Sequence, residues 1–395
     1  MIPFPEARAR ILERVPSPTI VTVPLAELAG RVIAENLVAP FDVPHGDNSQ
    51  VDGYAVRSED GAASRRLAGV SAAGGNPPPA LSPGETIRIF TGAPIPPGAD
   101  AVVMQEDVTV TDGRVVFGEA PEPELNVRRR GEELTAGTRI ATAGRLATPP
   151  LVGLAASFGR ASLAVTRLPR VSLVATGSEL TPVGTELGPG RVYASNPWAL
   201  SAAITALGIP APAVTLVADD PAATRDALDR ALAASDVVLT MGGVSVGDHD
   251  LVRPALAGLG VEEVFWRVAI RPGKPFAFGV RGETLVFGLP GNPVSALVTY
   301  LVLVRPALLR WIGAGEVEPE IDIRTTAAIE RSDLRYEFLR ATLDGDQATP
   351  VAHQGSHMQS GLAAAEALLH LPDGIARVEA GETLRATPIR WGLGS

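Results

Sequence analysis

The sequence predicts an α/β multidomain protein. It combines a doubly wound, mostly parallel sheet domain with a β-rich inserted module, a small discontinuous α+β domain and a C-terminal β domain. Three observations carry this expectation. Residues 170–311 alternate strand-like and helix-like segments. Residues 46–131 are dense in Pro and Gly around short β-type runs, and residues 314–395 return to strand-like runs with Asp-Gly turns.

At 395 residues the chain exceeds one ordinary core and implies two to four domains. A hydrophobic content of 46% with 20% charged residues describes a globular chain rather than a disordered one. There is no Cys, which removes disulfides, thiolate nucleophiles and Cys-based zinc sites. The net charge of −10 argues against nucleic acid as a partner, since a general binder carries a basic face. The start, MIPFPEARARILERV, lacks the apolar run and cleavage site of a signal peptide. The longest apolar run, VSALVTYLVLV (294–304), is about half a membrane span. It reads as a buried helix, and we expect a cytoplasmic protein with no membrane partner.

From the N-terminus, PEARARILERV reads as a short helix. A second helix is expected to begin at Pro24 and stop at Gly30, followed by a strand-like RVIAENLVA. In the β-rich module, ETIRIFT, AVVMQ, VTVT and RVVFG read as strands, with Asp112-Gly113 as the hairpin turn between the last two. Residues 147–167 resume a helix-then-strand pattern that can complete an interrupted domain. Beyond 170, strands VSLVAT, AVTLVA, DVVLTM and TLVFGL are interleaved with helices. Their expected starts are Asn196-Pro197, Asp220-Pro221, the region of Asp250, and Asn292-Pro293. The expected division is 1–45 with 132–168 as a discontinuous N-terminal dimerisation and linker domain, and 46–131 as the inserted module. The α/β domain then spans 169–313 and the C-terminal β domain 314–395.

In an open parallel sheet, ligands sit beyond the carboxyl ends of the strands. Three loops leave the sheet there: ATGSEL (175–180), TMGGVSVGDHD (240–250) and GLPGNPVSA (288–296). Each joins glycines, whose backbone N–H groups can approach an anion, to a hydroxyl or carboxylate and a helix start. Candidate substrate-binding residues are Ser178, Gly242, Gly243, Ser245, Pro290, Gly291, Asn292 and Pro293, with Arg128 from the NVRRRGEEL run. Glu179, Asp219, Asp220, Asp248 and Asp250 fall at the same strand exits. Asp220 and Asp250 also fit as helix N-caps alone. Several oxygens without Cys suit a hard cation such as Mg²⁺. The RRRGEE run also reads as a solvated stretch of local ion pairs.

Of 34 Lys and Arg residues only Lys274 is a lysine, in VAIRPGKPFAFG (268–279). Arginine presents a planar fork and lysine a compact point charge. A lone lysine paired with Arg271 across Pro272 reads as an oxyanion site.

Taken together, DNSQVDGYAVR, RIFTGAPIPPGADAVVMQE, VRRRGEE, VATGSEL, GGVSVGDHD, RPGKPFAFG and GLPGNPVSA resemble the molybdopterin molybdenumtransferases (the MoeA type, shared with the E domain of gephyrin). The resemblance runs from about residue 3 to 390. It implies a homodimer whose active site lies between subunits. It implies adenylylated molybdopterin and molybdate as substrates, AMP release and Mg²⁺ assistance. Asp52, Glu179, Asp220 and Asp250 match its acidic and metal-binding set, with metal at the last three, and Thr91 matches a substrate contact. Arg271, Lys274, Ser295 and Arg335 match positions associated with molybdate. The upstream adenylyltransferase is an implied partner. In this chain Gln50-Val51 replaces Ala-Met, Glu133 replaces Asp, and Arg271 stands where the family often has Lys. Two alternatives remain at this stage: the upstream molybdopterin adenylyltransferase, which uses ATP, and a pterin-binding scaffold without turnover.

Overall fold

The strand–helix alternation of 170–311 folds into one six-stranded sheet. In the computed structural model, which describes residues 1–76, 78–242, 251–314 and 320–393, its strands are β1 (Val171–Thr176), β2 (Ala213–Val217), β3 (Val237–Met241), β4 (Glu262–Trp266), β5 (Ala277–Arg281) and β6 (Thr284–Leu289). Their order is β2-β1-β3-β6-β5-β4. The first four run parallel, and β5 pairs antiparallel with both β6 and β4. Every residue of β1 and β3 is buried, as a parallel strand covered on both faces requires.

Alternate side chains explain that double burial. Leu173, Leu239 and Phe287 face one layer, with Leu200 and Ile204 of α2 (Ser195–Thr205) and Ile11 of α1 (Phe4–Glu13). Their neighbours Val174, Val238 and Val286 face the other layer, with Leu228 and Leu232 of α3 (Pro221–Ala234) and Val252 of α4 (Val252–Gly258). The long apolar run forms α5 (Pro293–Thr299), a π-helical turn (Tyr300–Val304) and α6 (Arg305–Trp311). These 19 residues are apolar and long enough to cross a membrane by composition, yet 89% of the apolar window is buried in this fold.

In the C-terminal segment, β7 (Ile321–Thr325), β8 (Tyr336–Asp344), β9 (Gln347–Pro350), β10 (Ala367–Leu371) and β11 (Thr383–Pro388) pair in the order β8-β9-β7-β11-β10. Because β8 also pairs with β10, the sheet closes on itself, which removes exposed edges. The Asp344-Gly345 turn joins β8 to β9 as expected. The short strand Ile270–Arg271 adds to β8 in parallel, so a loop of the α/β domain is bonded into the β domain.

The chain divides into two compact units. One comprises Met1–Glu35, Ala143–Val152 and Ala161–Ser395, and the other Asn36–Thr142 with Gly153–Arg160. The second holds a six-stranded sheet in the order 101–104, 53–56, 85–89, 65–71, 114–117, 108–111. Asp112 and Gly113 both have positive φ (50° and 72°), which the tight hairpin between the last two strands needs.

Three local expectations change. Pro24 does not open a helix: it ends a strand, Ile20–Pro24, paired antiparallel with Ser162–Thr166, and only one turn (Leu25–Glu27) follows. Pairing over five residues outweighs the helix-start signal of a single proline. Within 31–39, only Leu37–Val38 is a regular strand. Asn196 lies inside α2 rather than capping it, because its amide reaches across the sheet edge to another loop.

Asp236, at the entry to β3, ties this sheet to the preceding segment. Its carboxylate accepts Arg167 Nη1 and the Arg170 N–H, both at 2.8 Å. Burial pushes the carboxyl up, but these bonds prevail and hold it at about 2. A depressed carboxylate stabilises the fold above its ordinary range, and that contribution is lost as pH falls toward the folded value. Asp236→Asn should therefore lower the melting temperature at neutral pH. Thermal melts taken from neutral pH down to about 2 should show the difference from wild type closing.

Candidate functional site

Register brings three strand ends to one edge. Ala175 pairs with Met241, and Met241 with Leu289, so β1, β3 and β6 end level. Just beyond them lies a cavity of about 570 Å³, within the size range of small-molecule sites. Thr176, Glu179, Asn196, Gly242, Gly291 and Ser295 contribute to its wall. Gly242 is required by the close approach of the strands: its φ is +85°, and a Cβ there would stand 2.5 Å from the Thr176 carbonyl oxygen.

The first loop is fixed by its neighbour. The Ser178 N–H donates to Asp219 Oδ2 at 2.9 Å, and the Asp219 N–H donates back to Ser178 Oγ at 3.1 Å. That clasp joins the exits of β1 and β2 and leaves Glu179 on the cavity wall. Asp220 caps α3, its Oδ1 accepting the Ala223 N–H at 2.7 Å. One of its oxygens is thus engaged in holding a helix. Among the second-loop candidates, Gly243, Ser245 and Asp250 (and Asp248) lie outside the described residues. Among the described residues, no group of three His, Asp or Glu side chains could hold a metal ion.

Pro290, Gly291, Asn292 and Pro293 all line the cavity, as does the buried Ser295. Asn196 Nδ2 donates to the Gly291 carbonyl at 2.7 Å. Asn292 Nδ2 donates to Ser356 Oγ at 3.0 Å, and the Val294 N–H donates to the Ser356 carbonyl at 3.1 Å. Ser356 was not anticipated. It belongs to HQGSHMQ (353–359), a Gly- and His-containing loop of the C-terminal segment that carries no strand or helix periodicity. The buried Arg340 braces this loop, donating to the carbonyls of Met358 (3.0 Å) and Gly355 (3.2 Å). The Gly-Ser-His cluster is the signal that was available. Nothing local to it indicates that it would meet Asn292.

The basic stretch sits alongside. Gly273 has φ +117°, and a Cβ there would fall 2.3 Å from Thr299 Cγ2, so the turn presses on α5. Pro275 lines the cavity, while Arg271, Lys274 and Arg335 are outside its lining. Lys274 is exposed; its carbonyl accepts the Val268 N–H at 3.1 Å, and its ammonium makes no hydrogen bond or ion pair among the described residues. Arg335 Nη1 donates to the Ile270 carbonyl at 3.0 Å and its Nε to Asp333 at 2.9 Å. The Arg335 guanidinium, with Arg271 nearby, holds the Asp333 carboxyl well below the usual range.

In the other unit, Asp52 accepts the Thr91 N–H at 2.7 Å and the Thr91 hydroxyl at 2.8 Å on the same oxygen. The amide first, then the hydroxyl, hold its carboxyl below the ordinary range. The two predicted residues therefore act as a pair. The arginine run proves to be a clamp on the preceding acidic segment. Arg129 bonds Asp47 and Glu124, and Arg130 Nε donates to Asp42 at 2.6 Å. The Glu132 carboxylate accepts the Arg129 N–H at 2.9 Å. Among the described residues the Arg128 side chain reaches only Asn48, at 3.4 Å.

A level-ended parallel sheet with a cavity at its carboxyl edge, lined in part by polar groups, defines an α/β ligand-binding domain. Residues 173–310 match the family described as "Probable molybdopterin binding domain". Residues 2–159 match the MoeA N-terminal region (domain I and II), and residues 322–389 the MoeA C-terminal region (domain IV). A molybdopterin molybdenumtransferase of Haemophilus influenzae is 38% identical over all of both chains. One of Mycobacterium tuberculosis, molybdopterin molybdenumtransferase 2, is 37% identical over 92% of this chain and 94% of its own. Two solved structures of molybdopterin biosynthesis MoeA proteins from Pyrococcus horikoshii superpose with TM-scores of 0.84 and 0.78, at 32% and 27% identity. They cover 99% and 98% of this chain, and 99% and 100% of their own. The chain belongs to the molybdopterin molybdenumtransferase (MoeA) family, and is an enzyme of the transferase class.

The cap geometry of Asp220 separates its two roles. Asp220→Ala should cost about 1 kcal/mol in chemical denaturation by removing the N-cap, whereas Asp220→Asn should cost only a few tenths. If Asn preserves stability but not turnover, the carboxylate charge acts beyond the cap.

Proposed function

We propose that this chain transfers molybdate to adenylylated molybdopterin, with release of AMP and formation of the molybdenum cofactor. The carrying observation is the cavity at the carboxyl edge of β1, β3 and β6, with the exposed Lys274, whose ammonium has no partner among the described residues, next in sequence to its wall residue Pro275. Both substrates are anions, and the chain is acidic overall, so their approach requires local positive charge and N–H donors. Lys274, Arg271 and Arg335 supply cations, and the Pro290–Pro293 loop and Ser295 supply a wall that orients the pterin nucleotide. Ser178 and Glu179 line or brace the opposite side.

The donor set fits Mg²⁺ in the manner usual for phosphate substrates. Glu179 and Asp220 would contribute carboxylate oxygens, with Asp250 as the expected third residue and phosphate oxygens completing the shell, since the described residues by themselves form no such group. Bound there, Mg²⁺ would neutralise charge on the pyrophosphate bridge. Glu179 would position the water or molybdate oxygen that attacks phosphorus at the bridge, so that the P–O–P linkage breaks and AMP leaves, while the cations hold molybdate beside it. The active enzyme on this reading is a cytoplasmic homodimer with its site between subunits, in which Asp52 and Thr91 of one copy complete the cavity of the other. Its substrate comes from the upstream adenylyltransferase.

Purified protein should release AMP from adenylylated molybdopterin only when molybdate is present, and chelation of divalent metal should abolish release. Lys274→Ala should raise the molybdate needed for half-maximal release by about tenfold, the loss of one charge-assisted contact, with unchanged affinity for the pterin nucleotide. ATP-dependent adenylylation instead would identify the upstream activity. Pterin binding without turnover would identify a scaffold.

A further inference from the structure

The Arg271 guanidinium is shared between a carboxylate and open space. Its Nε lies 3.3 Å from Glu337 Oε1, and the parallel pairing of Arg271 with Glu337 sets the two side chains on adjacent strands. Glu337 is buried, and its second oxygen accepts Arg331 Nε at 3.0 Å. Arg331 is in turn fixed by donating to the carbonyls of Pro372 (2.9 Å) and Ile375 (2.8 Å). The other nearby carboxylate, Asp333, is occupied by Arg335. The Arg271 side chain is 45% exposed, and among the described residues its two Nη groups have no partner.

Only an arginine can be divided this way. Its fork offers Nε along one edge and two Nη donors at the end, whereas a lysine concentrates its charge at one atom. An ammonium at this strand position would meet the Glu337 carboxylate and be held there as an ion pair. Resting on the molybdate reading above, we propose that Glu337, backed by Arg331, is a positioning residue that makes arginine obligatory at position 271. It anchors the Nε edge so that both Nη donors face the oxyanion beside Lys274. Lys274, with no carboxylate partner among the described residues, can remain a lysine. Arg331 and Glu337 thus determine which cation position 271 accepts.

The test is the molybdate concentration for half-maximal AMP release, with kcat and pterin-nucleotide affinity measured alongside. It compares wild type, Arg271→Lys, Arg271→Ala, Glu337→Gln and the double variant Arg271→Lys/Glu337→Gln. Arg271→Lys should be as impaired as Arg271→Ala, by about tenfold in molybdate requirement, with kcat at saturating molybdate retained. The double variant should recover toward wild type, because removal of the carboxylate charge releases the ammonium introduced at 271. A merely structural role for Glu337 would add the two penalties instead of cancelling them. If Glu337→Gln does not fold, the comparison of the two single Arg271 variants still decides. An Arg271→Lys enzyme with the wild-type molybdate requirement, or a double variant whose penalty is the product of the two, overturns the proposal. A wild type that releases no AMP with molybdate overturns the transferase reading instead, and that is seen before any variant is compared.

Discussion

The in-register parallel pairing of β1, β3 and β6 is the constraint on which the site depends. Parallel strands bonded side by side end at the same height, so the residues after Thr176, Met241 and Leu289 must emerge together. Burial of both faces enforces that register. A slip of one residue would turn Leu173 and Leu239 from one core to the other and exchange them with Val174 and Val238. The cavity is therefore a by-product of core packing. The loops need only avoid filling the space that the strand ends create, and Gly242 does so by having no side chain to set against Thr176.

A second constraint ties distant segments to that edge. The α/β domain lends Ile270–Arg271 to the C-terminal sheet, and the C-terminal segment returns Ser356 to the start of α5. Both junctions rest on buried arginines. Arg331 lies behind Glu337 and Arg340 behind the 353–358 loop, each spending its donors on backbone carbonyls. A buried guanidinium is costly unless its fork is satisfied, and these forks are satisfied by carbonyls whose positions they thereby fix. The scarcity of lysine in the chain has a counterpart here. Arginine does structural work at 331 and 340 that a single ammonium could not, while the one lysine is at an exposed turn.

The pair of half-buried Asp52 and exposed Thr91 follows a different logic. Both donors of Thr91 converge on one carboxylate oxygen, which leaves the other oxygen of Asp52 without a partner among the described residues while keeping the group ionised. The adjoining clamp of Arg129 and Arg130 on Asp47 and Asp42 uses charge to fix an irregular segment that has little apolar surface to bury.

The sequence by itself determined the α/β core, its four parallel strands, the capped start of α3, the Asp112-Gly113 hairpin and the first and third strand-exit loops. Those features rest on local periodicity and on residues that act within three or four positions of themselves. The family was legible for a related reason, since its motifs are contiguous stretches. Only the tertiary structure decided that Pro24 ends a strand, that Asn196 serves Gly291 instead of its own helix, and that Ser356 meets Asn292. It also decided that Arg271 and Arg335, alike in sequence, have carboxylate partners while Lys274 has none among the described residues. Each of these is a contact between residues far apart in the chain. Side-chain amides, hydroxyls and charges take whichever partner the packed core brings within about 3 Å, and local sequence carries no record of that choice.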